Sequence, residues 1–185
     1  KGTARVGTIS GTKISFGAEN VFNPVDTHQI AIAADPNAAN KYVIGFSDAG
    51  NSNMGLVKVC TVSGTTISGY GSDATFNTGS NPGYGKSKFI SIAFDPNTSG
   101  KFIVAYSDEG DSDKGKTNVC TYSGTTITPG AEQEFRASFT ADIKVQYDPN
   151  TADKYLLTYS HAAHAVNGDR QSLVATISGT TSETT

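Results

Sequence analysis

A ten-residue motif that occurs four times is the feature that most constrains the fold of this chain. Its clearest copy, Val-Cys-Thr-Val-Ser-Gly-Thr-Thr-Ile-Ser, occupies residues 59–68, and variants of it begin at Val6, Val119 and Val174. Alternating runs on both sides of Ser-Gly predict two short antiparallel strands, because glycine supplies the positive φ that a two-residue turn needs. A feature present in every copy serves the fold rather than one active site, so the motif predicts architecture.

A second, longer hairpin motif alternates with the first. Apolar runs flank the tripeptide Asp-Pro-Asn at residues 35–37, 95–97 and 148–150, so its copies lie 60 and then 53 residues apart. In this tripeptide Asp accepts backbone hydrogen bonds, Pro fixes φ and Asn tolerates the left-handed region, which together predict a turn. One unit of the repeat therefore contains two hairpins, and hence four strands.

From this order we predict an all-β fold of propeller-like, four-stranded antiparallel blades, in about three and a half repeats of 53–60 residues. Residues 1–185 form a single repeat domain, which divides into a hairpin at 4–17, repeats at 28–77 and 88–137, and a partial repeat at 142–182. Propellers have about four to eight blades, so this chain alone is not expected to close a ring. Three alternatives remain open: a dimer that completes a seven-bladed ring, a segment of a longer chain, or an open β array.

Composition narrows the range of partners. The formal net charge of -3 gives no basic surface of the kind that nucleic-acid binders carry, so we expect no nucleic-acid partner. No apolar run approaches the roughly 20 residues that span a bilayer, so we expect no membrane insertion.

Cys60 and Cys120 occupy a motif position that is Gly7 or Ala175 in the other copies. This pattern predicts small, buried, free thiols rather than a disulfide.

The loop after the second Asp-Pro-Asn hairpin is the most suggestive segment for metal chemistry. Residues 107–115, Ser-Asp-Glu-Gly-Asp-Ser-Asp-Lys-Gly, place Asp108, Asp111 and Asp113 close together in sequence. Oxygen ligands followed by Gly suit Ca²⁺, which takes about 6 to 8 oxygens, although the spacing differs from the EF-hand pattern by one residue. Calcium at these three aspartates is therefore one prediction, and a simple polar turn is the alternative.

A Gly-, Asn- and Ser-rich insertion at residues 78–86 lengthens the connection between two repeats. Exposed loops on a rigid scaffold often carry binding residues, so we predict ligand contacts from Tyr84 and Asn81.

The segment 45–50, Gly-Phe-Ser-Asp-Ala-Gly, has its second glycine one residue too late for a nucleophile elbow. We therefore predict no catalytic residue.

The stretch from Phe94 to Ile127 contains Phe-Asp-Pro-Asn-Thr, Lys-Phe-Ile-Val-Ala-Tyr-Ser-Asp and Val-Cys-Thr-Tyr-Ser-Gly-Thr-Thr-Ile in that order. This pattern resembles the repeats of long structural or tail-associated virion proteins of marine bacteriophages. The resemblance extends from Val6 to Thr181 and consists of short structural motifs. It implies a surface-exposed structural or host-recognition module, and it brings no active site with it.

We therefore expect a non-enzymatic virion or extracellular module, structural or for attachment, that presents loops to host glycans or to other virion proteins. Weak contacts repeated over several blades would then combine into avidity. One alternative is a glycan-cleaving propeller enzyme, which needs acids and arginines in a central funnel, whereas this chain has only Arg5, Arg136 and Arg170. The other alternative is a purely architectural spacer.

Overall fold

The computed structural model describes the backbone of residues 1–77, 87–161, 169–178 and 181–184, and the side chains of residues 1–77 and 87–160. In these residues the chain forms antiparallel strands and no α-helix, with two short 3-10 turns at Ala49–Asn51 and Glu109–Asp111. The prediction of an all-β antiparallel fold is confirmed. None of the described segments is a helix long and apolar enough to cross a membrane.

Four short strands at the N-terminus form two separate pairs, β1 with β4 and β2 with β3. Their bounds are Gly2–Ala4 for β1, Gly7–Ser10 for β2, Lys13–Phe16 for β3 and Asn20–Asn23 for β4. We call these strands the N-terminal pairs. The predicted hairpin at residues 4–17 thus corresponds mainly to β2 and β3.

The rest of the chain forms three sheets, each an antiparallel meander in which consecutive strands are neighbours. Sheet I has the order β5-β6-β7-β8, and β9 continues the edge by pairing with β7. Its strands are β5 (Thr27–Ala34), β6 (Lys41–Asp48), β7 (Met54–Ser63), β8 (Thr66–Tyr70) and β9 (Ala74–Asn77). Sheet II contains β10 (Ser87–Phe94), β11 (Lys101–Asp108), β12 (Lys114–Ser123) and β13 (Thr126–Phe139). Sheet III contains β14 (Ala141–Tyr147), β15 (Lys154–His161), β16 (Asp169–Ser178) and β17 (Thr181–Thr184).

The two kinds of hairpin turn form as their sequences predict. In the Asp-Pro-Asn turns, Oδ1 of Asp35, Asp95 and Asp148 each accepts a 2.8 Å hydrogen bond from the backbone N–H two residues later. In the Ser-Gly-Thr turns, glycine has positive φ, for example 57° at Gly64. A Cβ added at Gly64 would meet nothing within 4 Å, so the backbone angle alone selects glycine there.

Outer strands also form outside the two hairpin motifs. The stretch 18–27, which belongs to neither hairpin motif, contains β4, and β9 and the second half of β13 hold the corresponding place in sheets I and II. A single phenylalanine anchors the first two of these segments, since Phe22 and Phe76 are buried while most of their neighbours are polar. One apolar residue among polar ones does not produce the alternation that identifies a strand in a sequence.

The three sheets stack face to face through their middle strands. Strand β11 is buried along its whole length, because it lies between sheets I and III. Sheet I presents Val43, Val57 and Val59 to the apolar face of sheet II, and sheet II presents Ala93 and Ile103 to sheet III. Runs that are apolar on both faces are typical of such sandwiched strands. Within the described part of the chain, the sheets do not close into a ring.

The two cysteines lie in this interior. Cys60 and Cys120 are buried and free, which confirms the prediction of small buried thiols. Burial raises the pKa of the Cys120 thiol to about 12 and also raises that of Cys60. Both groups are therefore neutral packing residues at neutral pH.

Candidate functional site

The three Asp-Pro-Asn turns lie side by side at one end of the stacked sheets. The ends of β5, β10 and β14 and the prolines that follow them, Pro36, Pro96 and Pro149, line one shared groove of about 410 Å³. We call this the proline groove. Each sheet contributes equivalent positions to it, because the repeat places the same turn at the same end of every sheet. Its other lining residues are Ile32, Ala33, Ala34, Ile92, Ala93, Phe94, Gln146 and Tyr147.

Hydrogen bonds between turns fix the walls of the groove. Oδ2 of Asp35 accepts a 2.9 Å bond from the N–H of Gly100 in the next turn, and the side chain of Asn37 donates a 3.1 Å bond to the Asp95 carbonyl. In the next junction Lys101 forms an ion pair with Asp153. Each wall of the groove is therefore connected to its neighbour by side-chain contacts as well as by packing.

The lining of the groove combines apolar and polar surface. Ala34, Pro36, Gln146 and Pro149 are exposed, whereas Tyr147 is buried beneath them. Burial raises the pKa of the Tyr147 hydroxyl well above its usual value, with the nearby Asp95 carboxylate adding to the effect. The groove is therefore a concave surface that exposes polar and apolar atoms in similar amounts, so it can offer a ligand both hydrogen bonds and van der Waals contacts.

The opposite end of the sheets carries the charged loop that the sequence points to. Six carboxylates and three lysines meet in ion pairs around the 3-10 turn of sheet II, which gives this cluster a formal charge of 3 - 6 = -3. The cluster comprises Lys88, Asp108, Glu109, Asp111, Asp113, Lys114, Lys116, Glu132 and Glu134. We call it the lysine-carboxylate cluster.

The ammonium group of Lys116 occupies the middle of this cluster. Its Nζ lies 2.9 Å from Oδ2 of Asp108, 3.0 Å from Oδ2 of Asp111 and 2.8 Å from Oε1 of Glu132. Burial by itself lowers the pKa of Lys116, but hydrogen bonds to Glu132, Asp108 and Asp111 outweigh it and raise the pKa above its usual value. Lys116 is therefore a fixed positive charge where several oxygens converge.

The three aspartates predicted to bind calcium thus have lysine partners. Asp108 and Asp111 share Lys116, while Asp113 lies apart from them and contacts Lys88 at 3.4 Å. Among the described side chains, no group of three or more His, Cys, Asp or Glu residues is arranged to hold a metal ion. Calcium binding at Asp108, Asp111 and Asp113 stays a prediction, and it would require the lysines to be displaced. Tyr84 and Asn81, the predicted ligand contacts, lie outside the described residues.

Sequence reasoning missed both the groove and the role of Lys116. The groove is formed by residues 53 to 60 positions apart, and the repeat spacing alone indicates that they become neighbours. Lys116 replaces Leu56 of the preceding repeat at the same strand position, 60 residues earlier. A lysine at a position that is otherwise apolar, on the strand that precedes the alternating glutamates, is the signal that could have identified the cluster.

No protein-family model, curated protein or solved structure matches this chain. The resemblance to repeats of bacteriophage virion proteins therefore stays a prediction.

Proposed function

We propose that this protein is a non-enzymatic binding scaffold of propeller-like blades, which presents the proline groove and the neighbouring loops to a glycan or protein partner. The observation that carries the proposal is the convergence of three equivalent turns on one concave surface. A repeat that places the same chemistry at equal intervals suits a repetitive ligand, because several weak contacts then act together. The virion or extracellular location rests on the sequence resemblance and belongs to the proposal.

The outer edges of β5, β10 and β14, which have no strand partner on one side among the described residues, support the same proposal. Each is the first strand of its sheet and has only one hydrogen-bonded neighbour in the described chain. The N–H groups of Phe89 and Val145 on these edges already donate to Gln29 and Ser91. The remaining backbone groups of the edges, together with the lining of the groove, offer a ligand both hydrogen bonds and van der Waals contact. A polar, ring-shaped ligand such as a sugar uses both kinds of contact.

A glycan array probed with the full chain tests the proposal. Two variants, Ala34→Glu and Gln146→Glu, place a charge at exposed positions of the groove, and Ser123→Glu does so on an exposed hairpin outside its lining. We expect the groove variants to lose binding at least tenfold and the hairpin variant to bind as the wild type does. Equal binding by all three variants would place the ligand elsewhere. Absence of binding to glycans and to surface proteins would instead favour the architectural spacer.

A further inference from the structure

One face of sheet I is apolar and uncovered, although the same face of sheet II is buried. Ile30 and Ile32 are 53% and 59% exposed, whereas their counterparts in sheet II, Ile90 and Ile92, are 7% and 9% exposed. The sequence supplies the same residue type at both sites, so the difference lies in what covers them. In the sequence repeat, these positions belong to the interface between successive sheets.

Strands of sheet I cover this face of sheet II. Strand β6 of sheet I places Val43 in the core that contains Ile90 and Ile92, and Ala31 and Ala33 of β5 are partly buried against that core. Gly45 of β6 approaches most closely, because a Cβ added there would lie 2.7 Å from Cδ1 of Ile92. The partner that fits this isoleucine pair is therefore a β-hairpin with small residues on one face.

The N-terminal pairs occupy the place of the outer strands of such a preceding sheet. A Cβ at Gly17 would lie 1.9 Å from the carbonyl oxygen of Thr65, and a Cβ at Gly71 would lie 2.0 Å from that of Thr125. The rings of Phe22 and Phe46 are 5.3 Å apart, which resembles the 4.9 Å between Phe76 and Tyr106 at the next junction. The N-terminal pairs thus pack on sheet I as β7 to β9 pack on sheet II.

In sheet I, the outer strands β7 to β9 are accompanied by the inner strands β5 and β6. The described chain contains no strands equivalent to β5 and β6 beside the N-terminal pairs. Strand β7 pairs with β6 along its length and runs unbroken from Met54 to Ser63. The equivalent strands β1 and β2 have no second neighbour among the described residues, and they are interrupted at Arg5 and Val6. A cavity of about 210 Å³ lies beside the interruption, between Val6 and Ile32. Val43 fills the corresponding space at the next junction.

We propose that the edge of β1 and β2 and the exposed face of β5 bind a β-hairpin of the repeat's own Asp-Pro-Asn type. The added hairpin supplies strand hydrogen bonds to the free edge and lays its small residues on Ile30 and Ile32. A valine of its second strand enters the cavity beside Val6. The occupant is a strand pair of this sequence class and not a second copy of residues 1–185. The inference is independent of the ligand that the proline groove binds.

A fusion protein tests the proposal directly. A copy of residues 27–53 is placed immediately before Lys1, which reproduces the native connection because Asn53 directly precedes Met54, the equivalent of Lys1. We expect the melting temperature to rise by about 5 °C or more, since added apolar burial stabilises a folded chain of this size by several degrees. We also expect a thiol introduced by Ile32→Cys to react with maleimide at least tenfold more slowly in the fusion.

Two matched controls separate this effect from simple chain extension. The same fusion with Val43→Lys and Ala33→Lys in the added copy should gain no stability and should leave the introduced thiol as reactive as in the unfused chain. A fusion that carries Ile32→Lys in the original sheet should likewise gain nothing. Unchanged melting and unchanged labelling in the unmodified fusion would overturn the proposal. Light scattering that shows the unfused chain to be a dimer, dissociated by Ile32→Lys, would also overturn it, because a second copy would then cover the face.

Discussion

The hydroxyl of Tyr122 in sheet II donates a 2.7 Å hydrogen bond to Oδ2 of Asp35, a buried carboxylate at the end of β5 in sheet I. The same oxygen accepts the N–H of Gly100, while Oδ1 caps the turn of Asp35 itself at the N–H of Asn37. Burial and the neighbouring Asp35 together raise the pKa of Tyr122 above its usual value, so its hydroxyl stays a donor. The Asp35 carboxylate thus stabilises its own turn and also binds that turn to sheet II.

Replacement of this carboxylate should therefore cost more than the loss of an ordinary turn cap. We expect Asp35→Ala to lower the free energy of unfolding by about 3 kcal/mol, because it leaves buried donors without an acceptor. Asp148→Ala is the matched control, since Asp148 caps the N–H of Asn150 in an equivalent but exposed turn. Urea unfolding of both variants measures the difference. Equal losses would show that the contact between sheets contributes nothing.

The phenylalanine of β9 should be a principal anchor of the outer strand. Phe76 is buried, and its ring centroid lies 4.9 Å from that of Tyr106 in the neighbouring sheet. We expect Phe76→Ala to destabilise the protein by about 3 to 5 kcal/mol, the range for removing a buried aromatic ring. Phe16→Ala removes the same side chain at a position that is 67% exposed and should change stability little. Urea midpoints that shift alike would contradict the assignment of β9 to the core.

The local chemistry of the turns could be predicted from the sequence, and their assembly could not. Asp-Pro-Asn specifies its own turn through the Asp carboxylate, which accepts the N–H two residues later, and the structure confirms this at Asp95. The expected left-handed role of Asn was wrong, because the positive φ falls at Gly100, just before the next strand, and not at Asn97. Strand β9 was missed because Phe76 is its one fully buried apolar residue, next to the buried but polar Asn77. The proline groove depends on the stagger between sheets, which is set by side chains such as Asp35 and Tyr122 that are 87 residues apart. A repeat indicates equivalence between positions, but it does not give the distance between them.

The carboxylates of the lysine-carboxylate cluster should make the free energy of unfolding depend on pH. A hydrogen bond from Lys116, followed by one from Lys114, lowers the pKa of Asp111 below its usual value. The stabilisation from Asp111 is therefore fully present above the ordinary pKa of about 4 and is lost as pH falls through the lower folded value. We expect the difference in urea midpoint between the wild type and Asp111→Asn to be largest near pH 6 and to vanish at the acid end. With Lys116→Leu in both proteins, the difference near pH 6 should change sign, because Asp111 then faces other carboxylates without the lysine between them. A difference of unchanged sign and size would contradict the assigned pairing.

Removal of the central lysine should destabilise the protein through the carboxylates that it leaves behind. Lys116 and Asp108 are both buried, so Lys116→Leu should cost about 3 kcal/mol, as expected when one partner of a buried ion pair is removed. Sheet I has Leu56 at this position together with Asn51 in place of Asp111. The double variant Lys116→Leu/Asp111→Asn should therefore recover part of the loss, at least about 1 kcal/mol, because one of the repelling charges is gone. Thermal or urea unfolding of the three proteins decides this, and a double variant less stable than the single one would contradict it.

The predicted calcium site should become accessible when Lys116 is replaced. In the wild type its ammonium group lies within about 3 Å of oxygens of Asp108, Asp111 and Glu132, the same oxygens that a divalent cation would bind. We expect calcium at about 5 mM to raise the melting temperature of Lys116→Leu by about 3 to 6 °C, which corresponds to a dissociation constant of about 0.1 to 1 mM, and to shift the wild type by less than about 1 °C. Lys116→Leu/Asp111→Asn is the control, since it has one carboxylate fewer and should respond less. An equal response of the wild type and Lys116→Leu would mean that calcium binds without competing with Lys116, and an absence of any response in all three would remove calcium from Asp108, Asp111 and Asp113.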